Sequence, residues 1–230
     1  QHEVPLVQVN VVVRAGAGAD PLDKPGLASL TADLLDEGAG SRSALDISDQ
    51  LDFLGAELQA RAGWDASAIA LNVPVKRLAE ALPILADVAL RPTFPASELD
   101  RVRKERLTEL LQLRDEPRAI ASVATANALY GGKHRYGSPI IGTEASVRRL
   151  SRQDLVAFHG RNFRPGNAAL VVVGDVENLP IRTRAADVAF VHDGLHHLAD
   201  PLRGVRELAR VADRAVSITE PADAALTQLA

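Results

Sequence analysis

The sequence predicts an α+β fold: a mixed sheet packed on helices, followed by a short β-α-β segment. Three observations carry this. The runs Glu57–Arg61 and Ser67–Val75 flank Gly63-Trp64-Asp65 and read as a β-hairpin. Pairs of helices, not single crossover helices, separate the strands of the first 175 residues. Beyond that point strand, amphipathic helix and strand alternate, which is the rhythm of parallel pairing.

Taken in order, Val4 to Arg14 (VPLVQVNVVVR) is β-branched and partly alternating, a strand. Ala15–Ala19 with Asp20-Pro21 forms a loop. Pro25-Gly26 then opens a helix in which Leu27, Leu30, Leu34 and Leu35 recur at helical spacing, and Gly38 and Gly40 stop it. Ser43 caps a second helix to about Leu54, with Leu45, Ile47, Leu51 and Leu54 as its apolar face and Gly55 as its end. After the hairpin, Val75–Leu90 is helical until Arg91-Pro92 and Phe94-Pro95 break it. Ser97, followed by acids, opens a long helix from Glu98 to about Leu113, which Pro117 interrupts. Arg118–Leu129 is helical and ends at Tyr130-Gly131-Gly132. A polar loop runs through Gly142, a short helix spans Ser151 to about Arg161, and Ala168–Val173 reads as a buried strand. Val188–Val191 and Ala215–Thr219 are strands on either side of an amphipathic helix, Asp200–Val211.

With 47% hydrophobic and 24% charged residues, the chain has enough apolar material for a core. Aromatics are only 3%, so that core is aliphatic. A formal charge of −4 with arginines scattered among acids excludes a nucleic-acid-binding stripe. The absence of cysteine excludes disulfides and thiolate metal sites. The longest apolar runs, such as Ala168–Val173, are too short to span a bilayer, so no membrane partner is expected. The chain opens Gln-His-Glu without an apolar leader, and its start reads as processed or artificial, with any targeting signal out of view.

The run VVVRAGAGADPLDKPGLASLTADLLDE (Val11–Glu37), followed by Gly38, resembles the opening unit of the insulinase/pitrilysin-type (inverzincin) zinc peptidases. The likeness continues through LGAEL (Leu54–Leu58), LRPTFP (Leu90–Pro95), the charged helix Glu98–Leu113, YGSPIIGT (Tyr136–Thr143) and FRPGNAALVVVGDV (Phe163–Val176). Active members carry H-x-x-E-H on the helix after GLA, where two imidazoles hold zinc and the glutamate activates water. The matching positions here are Ser29, Ala32 and Asp33. A further metal-binding glutamate ends an E-R-x5-E run; Glu105-Arg106 matches its start, but its end falls on Gln112. The resemblance therefore implies a non-catalytic domain that has lost its zinc and is inactive alone as a peptidase. It also implies that the domain pairs with an active zinc-peptidase subunit or domain and encloses a peptide substrate. Kinship with exported bacterial members implies a periplasmic or other extracytoplasmic setting.

From Gly174 a second likeness takes over. GDVENLP (Gly174–Pro180), ADVAFVHDGLHHLADP (Ala186–Pro201), RGVRELARVA (Arg203–Ala212) and VSITEP (Val216–Pro221) resemble the carboxyl-terminal half of class I S-adenosylmethionine-dependent methyltransferases. That resemblance implies cofactor contacts at Asp175, near the adenine, and around His192. The family's glycine-rich cofactor loop should lie upstream, where peptidase-like sequence stands, and Gly16-Ala17-Gly18 is a weak imitation. S-adenosylmethionine would bind only if the missing half were supplied. The expected domains are thus residues 1–175, an inactive peptidase-like domain, and 176–230, a methyltransferase-like fragment, with a chimeric join near 174–177. A fused product without independent function is the third reading.

Other polar groups read more plainly. His192, Asp193, His196 and His197 form a strand-end loop, not a metal cluster. Ser29 and Asp33 have no histidine base close in sequence. His134 and His159 take surface or capping roles, and Trp64 packs locally in its turn. Arg101, Glu105, Arg106 and Glu109 form a solvated helix face. A tail that covers the peptidase-like sheet only by chance leaves strand edges and apolar surface open, which predicts association.

Overall fold

The computed structural model describes residues 5–132, 134–192 and 194–219. Val4, Asp193, Glu220 and Pro221, which the sequence reading includes, lie outside the described residues. The chain divides into two compact units, residues 8–172 and the rest.

In the first unit β1 (Leu6–Val13) leads through a 3-10 turn to α1 (Leu27–Asp33). Two short strands, β2 (Gly38–Ala39) and β3 (Arg42–Ser43), precede α2 (Ala44–Leu54). Next come β4 (Glu57–Ala62) and β5 (Ser67–Pro74), then α3 (Leu78–Leu90), α4 (Ala96–Gln112), α5 (Pro117–Tyr130), α6 (Glu144–Arg149) and α7 (Arg152–Asn162). The strand β6 (Ala168–Val173) completes a four-stranded sheet in the order β4-β5-β1-β6, with β4 and β5 antiparallel. β5 buries every second residue, Ser67, Ile69, Leu71 and Val73, because successive side chains of a strand point to opposite faces. α1 packs against β4 and α3 against β5. The core is mostly aliphatic, with Leu30, Leu34, Leu35, Ile69, Leu71, Ile84 and Leu155 at 3% exposure or less, but Phe94, Phe158 and Phe163 are buried with them, which corrects the expectation of a purely aliphatic core.

Several elements differ from the sequence reading. Gly38 and Gly40 do not simply end α1, which stops at Asp33; they build the β2–β3 turn, both with positive φ. Leu45, assigned to the apolar face of α2, is 68% exposed, whereas Ile47, Leu51 and Leu54 are buried. α4 starts at Ala96 after Pro95, so Ser97 lies inside the helix and caps nothing. The run to Gly142 is followed by α6, which the sequence reading omits. Its one buried apolar residue is Val147, and its capping box joins Thr143 to Ser146, not to a glutamate or glutamine. β6 is not buried: it is an edge strand, and Leu170 is 65% exposed.

In the second unit β7 (Ala186–His192) and β8 (Ala212–Thr219) form a parallel pair joined by α8 (Pro201–Val211), the expected β-α-β arrangement. Asp200 caps α8 by accepting from Arg203 N at 3.0 Å. Ala189, Leu208 and Val211 make its small core. Val188 and Phe190, opposite Ala189 on the pleat, are more than half exposed. No described helix is long and apolar enough to cross a membrane.

Candidate functional site

The positions matched to the metal-binding helix lie on α1, whose amino end is held by Asp20. That carboxylate accepts from Gly26 N at 2.9 Å and Ala28 N at 2.8 Å. Burial pushes Asp20 up to about 6, and the two backbone donors oppose the rise. Gly26 adopts φ +91°, and a β-carbon there would sit 2.8 Å from Gly142 Cα. This close approach brings the 139–142 turn beside α1 and positions the Ile141 carbonyl.

Facing α1 is Arg106 of α4, 7% exposed. It continues the stripe of Leu99 and Val102 at helical spacing, which is why its side chain turns inward. Its guanidinium donates to Ser29 Oγ at 3.0 Å and to the Ile141 carbonyl at 3.1 Å, and pairs with the Asp33 carboxylate. Its Nε pairs with Glu109 at 2.9 Å. The expectation of a wholly solvated face is therefore corrected at Arg106. Arg101 keeps to that pattern, half-exposed and paired with Glu37, Glu98 and Glu105. Burial raises the pKa of Asp33; Arg106 lowers it, and Glu109, Glu105 and Glu37 push it further up.

This donor set does not fit zinc. The hydroxyl of Ser29 and the carboxylate of Asp33 are both engaged by one guanidinium. Ala32 offers a buried methyl group, and Gln112 is exposed on the last turn of α4. Among the described residues no group of three or more His, Asp or Glu side chains is placed to hold a metal ion.

Beside Arg106 opens a cleft of about 700 Å³, bounded by Asp33, Asp36, Glu37 and Glu109 and floored by Leu58–Arg61 of β4. A second cleft of about 540 Å³ shares Asp36, Glu37 and Leu58 with it. Burial pushes Asp36 up to about 6, with Glu37 and Asp33 adding to the rise and its own backbone hydrogen bond and Arg101 opposing it. Asp36, Glu37 and the β4 edge are absent from the residues singled out in the sequence. Only the LLDEG helix end hinted at the two acids, and nothing local marked β4 as an edge.

Gly16 and Gly18, the imitation of a cofactor loop, pack on the hairpin turn instead. Ala17 N donates to the Gly63 carbonyl at 2.9 Å and Gly18 N to that of Trp64 at 2.7 Å. Trp64 in turn packs on Tyr136, with ring centroids 4.9 Å apart. Asp175 is exposed and accepts from Glu177 N at 2.9 Å, a local turn. His192 ends β7, His196 and His197 lie in a 3-10 turn, and Asp193 is outside the described residues. His159 is half-buried, with Nε2 3.0 Å from the Ala89 carbonyl, and His134 accepts from Tyr136 N.

The model of the insulinase family (peptidase family M16) matches residues 1–144, more than half of the sequence. The chain belongs to the insulinase family. The family's solved structures include an inactive M16 domain from Pseudomonas fluorescens, 30% identical, with a TM-score of 0.71 over 75% of this chain and 42% of that one. Uncharacterized zinc proteases of Mycobacterium tuberculosis (H37Rv) and Mycobacterium leprae are 30% and 29% identical, over 74% of this chain and 39% and 38% of their own lengths. The chain thus spans less than half the length of these relatives. A methyltransferase-domain model also matches, over residues 125–215, so the two matches overlap by part of α5 and the loop after it.

Proposed function

We propose that residues 1–175 form a non-catalytic domain that pairs with an active zinc-binding domain or subunit of its family and helps enclose and hold a peptide. The observation that carries this reading is the guanidinium of Arg106 lodged between Ser29 and Asp33, two of the matched metal positions. A cation bound covalently to the chain neutralises Asp33 there. No imidazole stands on α1 to compete for a metal, and the general-base position is a methyl group. What the domain offers a peptide is the free edge of β4 beside the cleft. Edge strands bind extended peptides through main-chain hydrogen bonds, while pockets alongside select side chains. The inactive-domain label of the Pseudomonas relative supports the same reading. The test combines metal analysis with peptide cleavage, alone and after mixing with an active family member. Stoichiometric zinc, with cleavage lost in Asp33→Ala, would overturn it.

A second reading is favoured by the methyltransferase match. Residues 176–230 then supply one β-α-β unit of a cofactor-binding sheet, with His192 at the end of β7 and Asp175 in the turn that precedes the unit. The glycine pair that would have to cradle S-adenosylmethionine is committed to the hairpin turn, so this unit needs its missing half. Calorimetry with S-adenosylmethionine decides: binding in the micromolar range would promote the methyltransferase reading.

A further inference from the structure

We infer that β6 is the edge through which two copies of this chain pair. The two strands Ala168–Val173 lie antiparallel about a two-fold axis and join two four-stranded sheets into one of eight strands. This stands apart from the peptide-holding reading, which concerns β4 at the other end of the sheet.

Two independent features coincide. The first is an open edge. β6 ends the order β4-β5-β1-β6 and is bonded to β1 alone, and among the described residues no further backbone hydrogen bond involves Ala168–Val173. No residue of the strand is buried, and Leu170 and Val173 are 65% and 51% exposed. The outer N–H and C=O groups of such a strand are a template for another strand. The second is composition. Proteins guard their sheet edges with charged side chains. β4 carries Glu57 and Arg61, β7 carries Asp187, and β8 carries Asp213 and Arg214. β6 reads Ala-Ala-Leu-Val-Val-Val, without charge, proline or glycine, the kind of segment that pairs between chains. Among the described strands longer than two residues that have a free edge, β6 alone is unguarded.

These features select a second copy as the occupant. β7 and β8, the strands that follow in the chain, are bonded to each other in a separate sheet. A strand laid against β6 must be as free of charge as β6 is, because a charged side chain brought opposite Leu170 or Val171 loses water and gains no partner. Among the strands with a free edge only β6 itself meets that condition. An antiparallel two-fold pair satisfies both copies at once, since the same edge supplies donors and acceptors on either side. The assembly then closes, because its two outer edges are both β4, whose Glu57 and Arg61 oppose further growth. Seven inter-strand steps of about 4.8 Å place those outer edges roughly 34 Å apart, so pairing leaves both of them open.

The test is sedimentation velocity of the complete chain over a concentration series, carrying Val188→Lys and Phe190→Lys so that the β7–β8 face stays silent. A monomer–dimer equilibrium is expected. Leu170→Lys changes an exposed side chain and should weaken the dimer about tenfold, since it places like charges near the pairing axis. Leu129→Lys, at a 73% exposed position on α5, should leave the dimer unchanged. The chain has no cysteine, so single spin labels at Ala168→Cys and Leu170→Cys read the geometry without adding charge. With the axis between Leu170 and Val171, the label pair at 168 should be about 14 Å farther apart than the pair at 170. A monomer at every concentration, a dimer indifferent to Leu170→Lys, or equal separations for the two label pairs would each overturn the proposal.

Discussion

Replacing Arg106 with methionine keeps the aliphatic stem and removes the guanidinium from between α1 and α4. The change strips Asp33, Ser29 Oγ and the Ile141 carbonyl of a common donor. Breaking a buried ion pair by removing one partner costs roughly 3–5 kcal/mol, because the remaining charge is left uncompensated. The Asp33 side chain is 33% exposed and Glu109 50%, so water recovers part of that loss. We expect a loss of about 3 kcal/mol at neutral pH. Adding Asp33→Asn should return about 2 kcal/mol, since the amide leaves no charge behind. Trp64 is the single tryptophan and lies in the peptidase-like unit, so its fluorescence in a urea titration reports on that unit. The pH dependence gives a further check. Asp33 already has a raised pKa, so its ionisation opposes folding, and without Arg106 that opposition grows. The cost of Arg106→Met should therefore be largest above neutrality and shrink on acidification. A loss below about 0.5 kcal/mol, or no rescue by Asp33→Asn, would refute the assignment of Arg106 as the buried counter-ion of α1.

Three further outcomes follow from packing and charge. Gly16→Ala should cost about 2 kcal/mol by urea denaturation, since a β-carbon there lies 2.7 Å from the Trp64 carbonyl oxygen; Gly166→Ala, with nothing within 4 Å, should be near neutral. Asp20 and Asp36 have folded pKa values raised to about 6 from 3.8, so their contribution is fully present below 3.8 and is lost as pH rises through 6. Asp20→Asn should flatten the resulting fall in stability between about pH 4 and 6, and an unchanged slope would contradict the burial account. Val188→Lys with Phe190→Lys should reduce the association that the open β7–β8 face promotes, measured by sedimentation velocity, and a monodisperse parent chain would count against that expectation.

Much of the fold was legible because local rules agreed with tertiary demands. Ser43 with Asp46 and Ser151 with Asp154 cap helices where capping chemistry predicts, and Gly55 ends α2 with a left-handed φ of +61°. The run Ser67–Val75, read as one arm of a hairpin, forms the strand Ser67–Pro74, and the final β-α-β rhythm paired in parallel. Errors arose where a local signal was ambiguous. Ser97 has the right chemistry for a cap but stands two residues too late, and the β-branched run Ala168–Val173 reads the same at an edge as at a sheet centre.

The order of residues alone determined the chemistry on offer: a hydroxyl, a methyl and a carboxylate at the positions that the family resemblance matches to imidazoles and a general base, and no cysteine anywhere. Tertiary structure decided what those groups meet. Arg106 lies 73 residues from Asp33 and was assigned to solvent, yet helix packing turns it inward to neutralise the carboxylate. The free edge of β4 and the acids gathered beside it likewise arise from sheet order and from segments distant in the chain. Periodicity reports which face of a helix is apolar; only packing determines which charge is stranded there and what must compensate it.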